Sequence, residues 1–141
     1  MRALAPALAA LVLLAPGCGD DEDPARDRPK EATPASFLGC FEKTGYEAKR
    51  PAPREESVLA FQAKRNGYRV EPVNVSERGM LTPAAFLVFF ESPAKAREGM
   101  KELGATSYGE VPPAVLGPAV VGYGDDETRA AVEPAITACL E

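Results

Sequence analysis

Three thiols, Cys18, Cys40 and Cys139, and a few carboxylates are the side chains whose chemistry has to be weighed first, because the chain has no His and no Trp. Without imidazole there is no Ser-His-Asp or Cys-His activation of a nucleophile, no His-containing zinc site and no imidazole switch near neutral pH. The candidate carboxylates are Glu91, which follows Phe89-Phe90, and the cluster Asp125-Asp126-Glu127, which follows Gly122 and Gly124. Its aromatic neighbours make Glu91 the stronger solitary candidate for a perturbed carboxylate, although its position reads first as a solvated strand end. Acids at a helix N-terminus satisfy orphan amides and the helix dipole without any ligand, and no second acidic cluster completes a calcium loop, so 125–127 reads first as a helix start. A carboxylate-dependent hydrolase or a metal-dependent enzyme would need Glu91 and the acids near Asp125 in one pocket. There is no Cys-x-x-Cys and no phosphate-cradling glycine motif, and Gly122-Tyr123-Gly124 is too short for a nucleotide fingerprint. Lys49-Arg50 and Lys64-Arg65 read as solvated surface charge.

The most specific pattern lies at the N-terminus. Arg2 gives a charged start, Ala3 to Ala15 an Ala- and Leu-rich apolar stretch, and Gly17 a small-residue exit, which is the layout of a secretory signal over residues 1–17. The stretch from Ala3 to Ala15 would cover about 20 Å as a helix, against about 30 Å of hydrocarbon, and is too short to span a bilayer. Residues 18–34 then alternate charge with proline, from Asp20-Asp21-Glu22-Asp23 through Pro24, Pro29 and Pro34. Such a segment has too little apolar surface to fold and serves as a tether. The run Leu13-Leu14-Ala15-Pro16-Gly17-Cys18 resembles the lipobox of bacterial lipoproteins. Gly17 and Cys18 fit that motif, while Ala15 and Pro16 stand where the family usually has Leu and a small residue. The resemblance implies that Cys18 receives a diacylglyceryl group and becomes the acylated mature N-terminus. Two acyl chains give stable membrane anchoring where one is marginal. The other readings are a soluble secreted protein cut nearby, with Cys18 a free thiol, and an apolar stretch that remains as an uncleaved anchor.

Three Cys in an exported chain leaves one thiol to explain. Lipidation of Cys18 supplies the explanation and leaves Cys40 and Cys139 in a compartment where disulfides persist. They are expected to bond, closing a loop of 139 − 40 = 99 residues; the alternative is two buried reduced thiols packing as small hydrophobes.

A fold has to bring those two thiols together. Phe37, Cys40 and Phe41 at i, i+3, i+4, with Ser36 as N-cap and Gly45 as stop, predict a short helix, and Tyr46 to Arg50 extends away from it. Val58 to Arg65 before Asn66-Gly67 fits a hairpin strand or a helix with a left-handed cap. Glu55 and Glu56 at its start and Lys64 and Arg65 at its end complement a helix dipole, so helix is preferred. Tyr68 to Val75 reads as an edge-like strand because Pro72 cannot donate to a ladder, and Phe86 to Phe90 as a central strand buried on both faces. Ser92-Pro93 opens a helix carrying Ala96, Met100 and Leu103 inward until Gly104. Tyr108 to Pro118 is a connection, Ala119 to Tyr123 a strand, and Asp125 or Asp126 caps a last helix with Pro134 as a kink.

The order is that of a split βαβ unit, so the expectation is a single α+β domain over residues 35–141. Its core would be two-layered and ferredoxin-like, with the first and third strands central and extra N- and C-terminal helices. The opening Phe37-Leu38-Gly39-Cys40 with Gly45-Tyr46, and the ending Ala138-Cys139-Leu140, resemble small secreted or lipid-anchored proteins of high-GC bacteria, a resemblance that implies no activity.

Sixteen Lys and Arg against 21 Asp and Glu give a net charge of −5, which offers no basic field to nucleic acid. The expected function is that of an exported, lipid-anchored envelope protein acting outside the membrane as a non-catalytic binding module. Its partner would be a protein or a small molecule, and it would carry no cofactor and no metal. The rivals are the carboxylate enzyme above and a structural subunit of an envelope complex, which predicts an exposed apolar patch.

Overall fold

The computed structural model describes residues 31–103 and 111–141. Cys18, the expected signal 1–17, most of the tether, Gly104 and Tyr108 lie outside the described residues. The first helix, α1 (Pro34–Phe41), starts one turn earlier than its apolar spacing suggests. Thr33 is its N-cap: the Thr33 hydroxyl accepts from the Ser36 amide at 3.1 Å, and the Ser36 hydroxyl accepts from the Thr33 amide at 2.8 Å. Ser36 is thus the return partner of a capping box, and Pro34 takes the first helical position, where its missing N–H costs nothing. The expected tether therefore ends at Thr33.

Strand β1 (Tyr46–Lys49) follows, then a 3₁₀ turn at Pro53–Glu55 and helix α2 (Val58–Arg65). Ser57 caps α2, accepting from the Ala60 amide at 3.2 Å. At its end Gly67, at φ +89°, turns the chain so that the Tyr68 amide reaches the Ala63 carbonyl and the Gly67 amide that of Lys64. This Schellman closure decides for helix over hairpin, because a left-handed glycine two residues past the last turn satisfies carbonyls that a strand would leave to a neighbour.

Strands β2 (Glu71–Glu77) and β3 (Ala85–Phe89) form a hairpin, and α3 (Pro93–Leu103) is capped by Ser92, whose hydroxyl accepts from the Lys95 amide at 3.1 Å. A short strand β4 (Ala114–Leu116) turns through Gly117, at φ +57°, into β5 (Ala119–Tyr123). The last helix, α4 (Asp126–Leu140), begins under an Asp125 cap and runs without a break through Pro134. Both Pro134 and Ala130, the residue whose carbonyl it leaves without its helical partner, lie on the exposed side of the helix, where the loss is least costly.

The sheet order is β1-β2-β3-β5-β4 with every neighbouring pair antiparallel. Strands β3 and β4 both run against β5 and hence parallel to each other, so β3-α3-β4 is a split βαβ unit with β5 between its strands. The Phe-rich β3 is central, as its burial requires. The first strand, expected to be central too, lies at the edge. In β1, Tyr46 and Ala48 are half-buried while Glu47 and Lys49 are exposed, so the strand has one apolar face and cannot be covered on both sides. Strand β2, read as edge-like from Pro72, is internal. However, β1 reaches only as far as Asn74, so Pro72 lies past the end of the ladder on that side.

Helices cover both faces. Val73, Val75, Leu87, Phe89, Val121 and Tyr123 point into one core with Phe37 and Phe41 of α1 and Val132 and Ile136 of α4. Val88, Phe90 and Val120 point into the other, with Leu59, Ala60 and Ala63 of α2 and Ala96 and Leu103 of α3. The α+β core of sheet plus α2 and α3 thus has two layers, and the terminal helices add a third. Cys40 and Cys139 join those two helices, with their sulfurs 1.95 Å apart and their Cα atoms 5.7 Å apart. Gly99 lets α3 lie directly on the sheet: a Cβ there would stand 2.5 Å from a Phe90 ring carbon.

Candidate functional site

Where β3 ends and β2 begins, the sheet stops short of the helices and leaves an open groove of about 610 Å³. Its apolar base is Val70, Phe89, Phe90 and Pro118, the last placed by the β4–β5 turn, whose carbonyl also accepts from the Phe90 amide at 2.8 Å. One wall is the start of α1, with Ala32, Thr33 and Pro34; the other is the end of α2, with Lys64 and Tyr68. Arg69, Glu71, Glu91 and Glu31 stand on the rim. A smaller recess of about 370 Å³ continues past Arg69 and Glu91 to Lys95.

Tyr68 is the fixed point of this site. Its ring meets Phe90 edge-on at 5.4 Å, and its hydroxyl donates to Glu102 of α3 at 2.5 Å. The carboxylate acceptor, with burial and the charges of Glu102 and Glu98 adding to it, pushes the phenol up to about 12. Tyr68 therefore stays protonated at any ordinary pH and acts as a positioned donor. The rim charges are held loosely: Arg69 stands 3.8 Å from Glu91 and Arg50 3.6 Å from Glu71, all well exposed. Pairs of this kind add little stability and exchange readily for a ligand's charges. Lys64 is held more closely, 2.7 Å from Glu56. With two cations, three carboxylates and an aromatic base, the groove is suited to an elongated ligand with an apolar body and polar ends. Its volume falls within the roughly 300–1,000 Å³ of small-molecule sites.

Glu91 does stand at this groove. Asp125 does not. Phe89 pairs with Ala119 and Ala85 with Tyr123 across β3 and β5, so Glu91 lies beyond one end of the sheet and Asp125 beyond the other. At roughly 3.3 Å per strand residue they are on the order of 25 Å apart. The paired-carboxylate arrangement on which the hydrolase reading depended is therefore overturned. Asp125 is occupied as a cap: its carboxylate accepts from the Thr128 amide at 2.6 Å, which lowers its pKa below the usual carboxylate range. Among the described residues no group of three or more His, Cys, Asp or Glu side chains is placed to hold a metal ion. Lys49, Arg50, Lys64 and Arg65 are all exposed, as surface charges should be.

Tyr68, Arg69 and Pro118 were not singled out by sequence. Only Asn66-Gly67 hints at them, since a left-handed turn fixes where the two residues after it point. Among the described residues four large apolar side chains are exposed, Val58 and Phe61 on α2 and Met80 and Leu81 in the β2–β3 turn. No described helix is long and apolar enough to cross a membrane. No family model, curated protein or solved structure matches the chain.

Proposed function

We propose that the chain is an exported protein, anchored to the cell membrane through acylated Cys18, whose folded domain binds an amphipathic ligand or partner segment in the groove beside Tyr68 without transforming it. The observation that carries the binding half of this reading is the groove itself, apolar at the base and bearing weakly paired charges of both signs on its rim. Export and lipidation rest on the pattern of residues 1–18 and on its lipobox resemblance. A leash from Cys18 to Thr33 would hold the groove clear of the bilayer, since α1 begins where the leash ends and forms one wall of the groove.

Intact mass of detergent-extracted protein tests the anchor: a chain beginning at Cys18 and heavier than its polypeptide by a lipid increment is expected. A full-length chain free in the cytosol would refute it. For the groove, a photo-crosslinking residue replacing Arg69 in living cells is compared with one replacing Arg97 on the exposed side of α3. A discrete adduct from position 69 and none from position 97 is the expected result, and equal labelling from both would refute a groove-directed ligand.

A further inference from the structure

The far end of the sheet carries a second surface that the groove reading does not use. The β2–β3 turn pivots at Gly79, at φ +85°, and holds up Met80 and Leu81, with Leu81 96% exposed and Met80 56%. Beside that knob lies a hollow of about 310 Å³ between the turn, the start of β1 and the first half of α4. Met80 itself forms one side of it, Tyr46, Pro83, Ala84 and Val132 complete the apolar lining, and Glu77 and Glu127 stand on its rim. On one side of it the Tyr46 hydroxyl donates to the Ala131 carbonyl at 3.4 Å.

We propose that this end of the molecule is a self-complementary interface, in which Leu81 at the tip of each copy's turn seats in the hollow of a second copy of the chain, against the Met80 that lines it. Knob and hollow are neighbours on one surface, so a single two-fold rotation brings each to the other and buries both without any further feature. Charge selects the same partner. Arg78 flanks the knob, and its guanidinium has only a long 3.5 Å contact to the Thr44 carbonyl. No ion pair within the described residues engages Arg78, Glu77 or Glu127. The proposed two-fold arrangement pairs the Arg78 flank of one turn with the Glu127 rim of the other copy's hollow, twice over, in a molecule whose net charge of −5 otherwise opposes self-association. The inference does not depend on where the chain resides or on what the groove binds.

Sedimentation equilibrium of the protein as isolated from its cell, in density-matched detergent if it carries lipid, tests the interface. The expected result is a weight-average mass that rises with concentration from one copy to two. Leu81→Asp should raise the dimer dissociation constant by at least about tenfold, the factor that loss of one buried leucine implies. Arg78→Glu and Glu127→Arg should each weaken the dimer, and the two together should restore it. All three positions, Arg78, Leu81 and Glu127, are exposed at the surface, so an unchanged melting midpoint certifies each variant as folded. A single copy at every concentration, a dimer indifferent to Leu81→Asp, or no rescue by the double charge swap would overturn the proposal. So would a monomer that binds anionic vesicles or another protein through Leu81.

Discussion

Breaking the Cys40–Cys139 bond should cost this protein a large share of its stability. The bond closes a loop of 99 residues, for which the chain-entropy model gives about 4.7 kcal/mol of restriction on the unfolded chain. Domains of this size are stable by only about 5–15 kcal/mol in total. Each kcal/mol shifts the midpoint by roughly 4–8 °C, so reduction should lower it by on the order of 20 °C. The loss should be global and not a fraying of one end, because α1 carries Phe37 and Phe41, both fully buried in the core shared with α4 and the sheet. The assay is thermal and urea unfolding, with and without reductant, with mass spectrometry confirming two free thiols in the reduced sample. If the effect is on the unfolded chain, the urea m-value should rise on reduction, since an uncrosslinked ensemble exposes more surface. An unchanged midpoint with both thiols shown to be free would refute the reasoning. A lowered midpoint at constant m would move the cause from the unfolded chain to packing in the native state.

Gly99→Ala places a methyl 2.5 and 2.6 Å from two Phe90 ring carbons, and the resulting overpacking costs about 1–3 kcal/mol, more than the roughly 1 kcal/mol gained in helix propensity. The midpoint should fall, and Phe90→Leu in the same chain should recover part of the loss; a rise with Gly99→Ala alone would show that the ring moves aside freely. Tyr68 should titrate near 12 in an alkaline absorbance titration, and Glu102→Gln should bring it back toward the ordinary phenol value near 10. The sign follows from a folded value above the unfolded one: the stabilisation is fully present below about 10 and is lost as pH climbs through 12. A Tyr68 transition unmoved by Glu102→Gln would refute that account.

Local chemistry made much of this fold readable. The dipole-matched charges at the two ends of α2 and the Asn66-Gly67 pair describe a helix and its stop without reference to the rest of the chain. Five consecutive large apolar residues from Phe86 to Phe90 ask for cover and, at that length, point to a central strand. Strand β4 escaped because Ala114–Leu116 is three residues between Pro113 and Gly117. That length is too short for any period to show, and the strand exists only because β5 offers it an edge. The edge position of β1 was open to inference from the alternation of Tyr46-Glu47-Ala48-Lys49 and was lost to a topological analogy. The groove was not legible. Its residues come from four separate stretches, 31–34, 64–71, 89–91 and Pro118, and only the order of strands in the sheet makes them neighbours.

That dispersal bears on how the groove is kept in shape. Its two walls belong to different layers: α1 packs with α4 on one face of the sheet, and the Tyr68 wall packs with α3 on the other. Each wall has its own tie. The disulfide fixes α1 to α4, and the Tyr68–Glu102 hydrogen bond fixes the end of α2 to α3. Between them the sheet ends are packed into both cores, so a ligand meets a cleft whose ordering cost is largely met on folding. The two ties then make different demands. Tyr68→Phe removes a hydrogen bond from one wall and should weaken binding while leaving the other wall and the melting midpoint nearly intact. Reduction frees the α1 wall together with much of the global stability, so binding and folding should fail together. A ligand whose affinity survived both changes would be seated somewhere other than this groove.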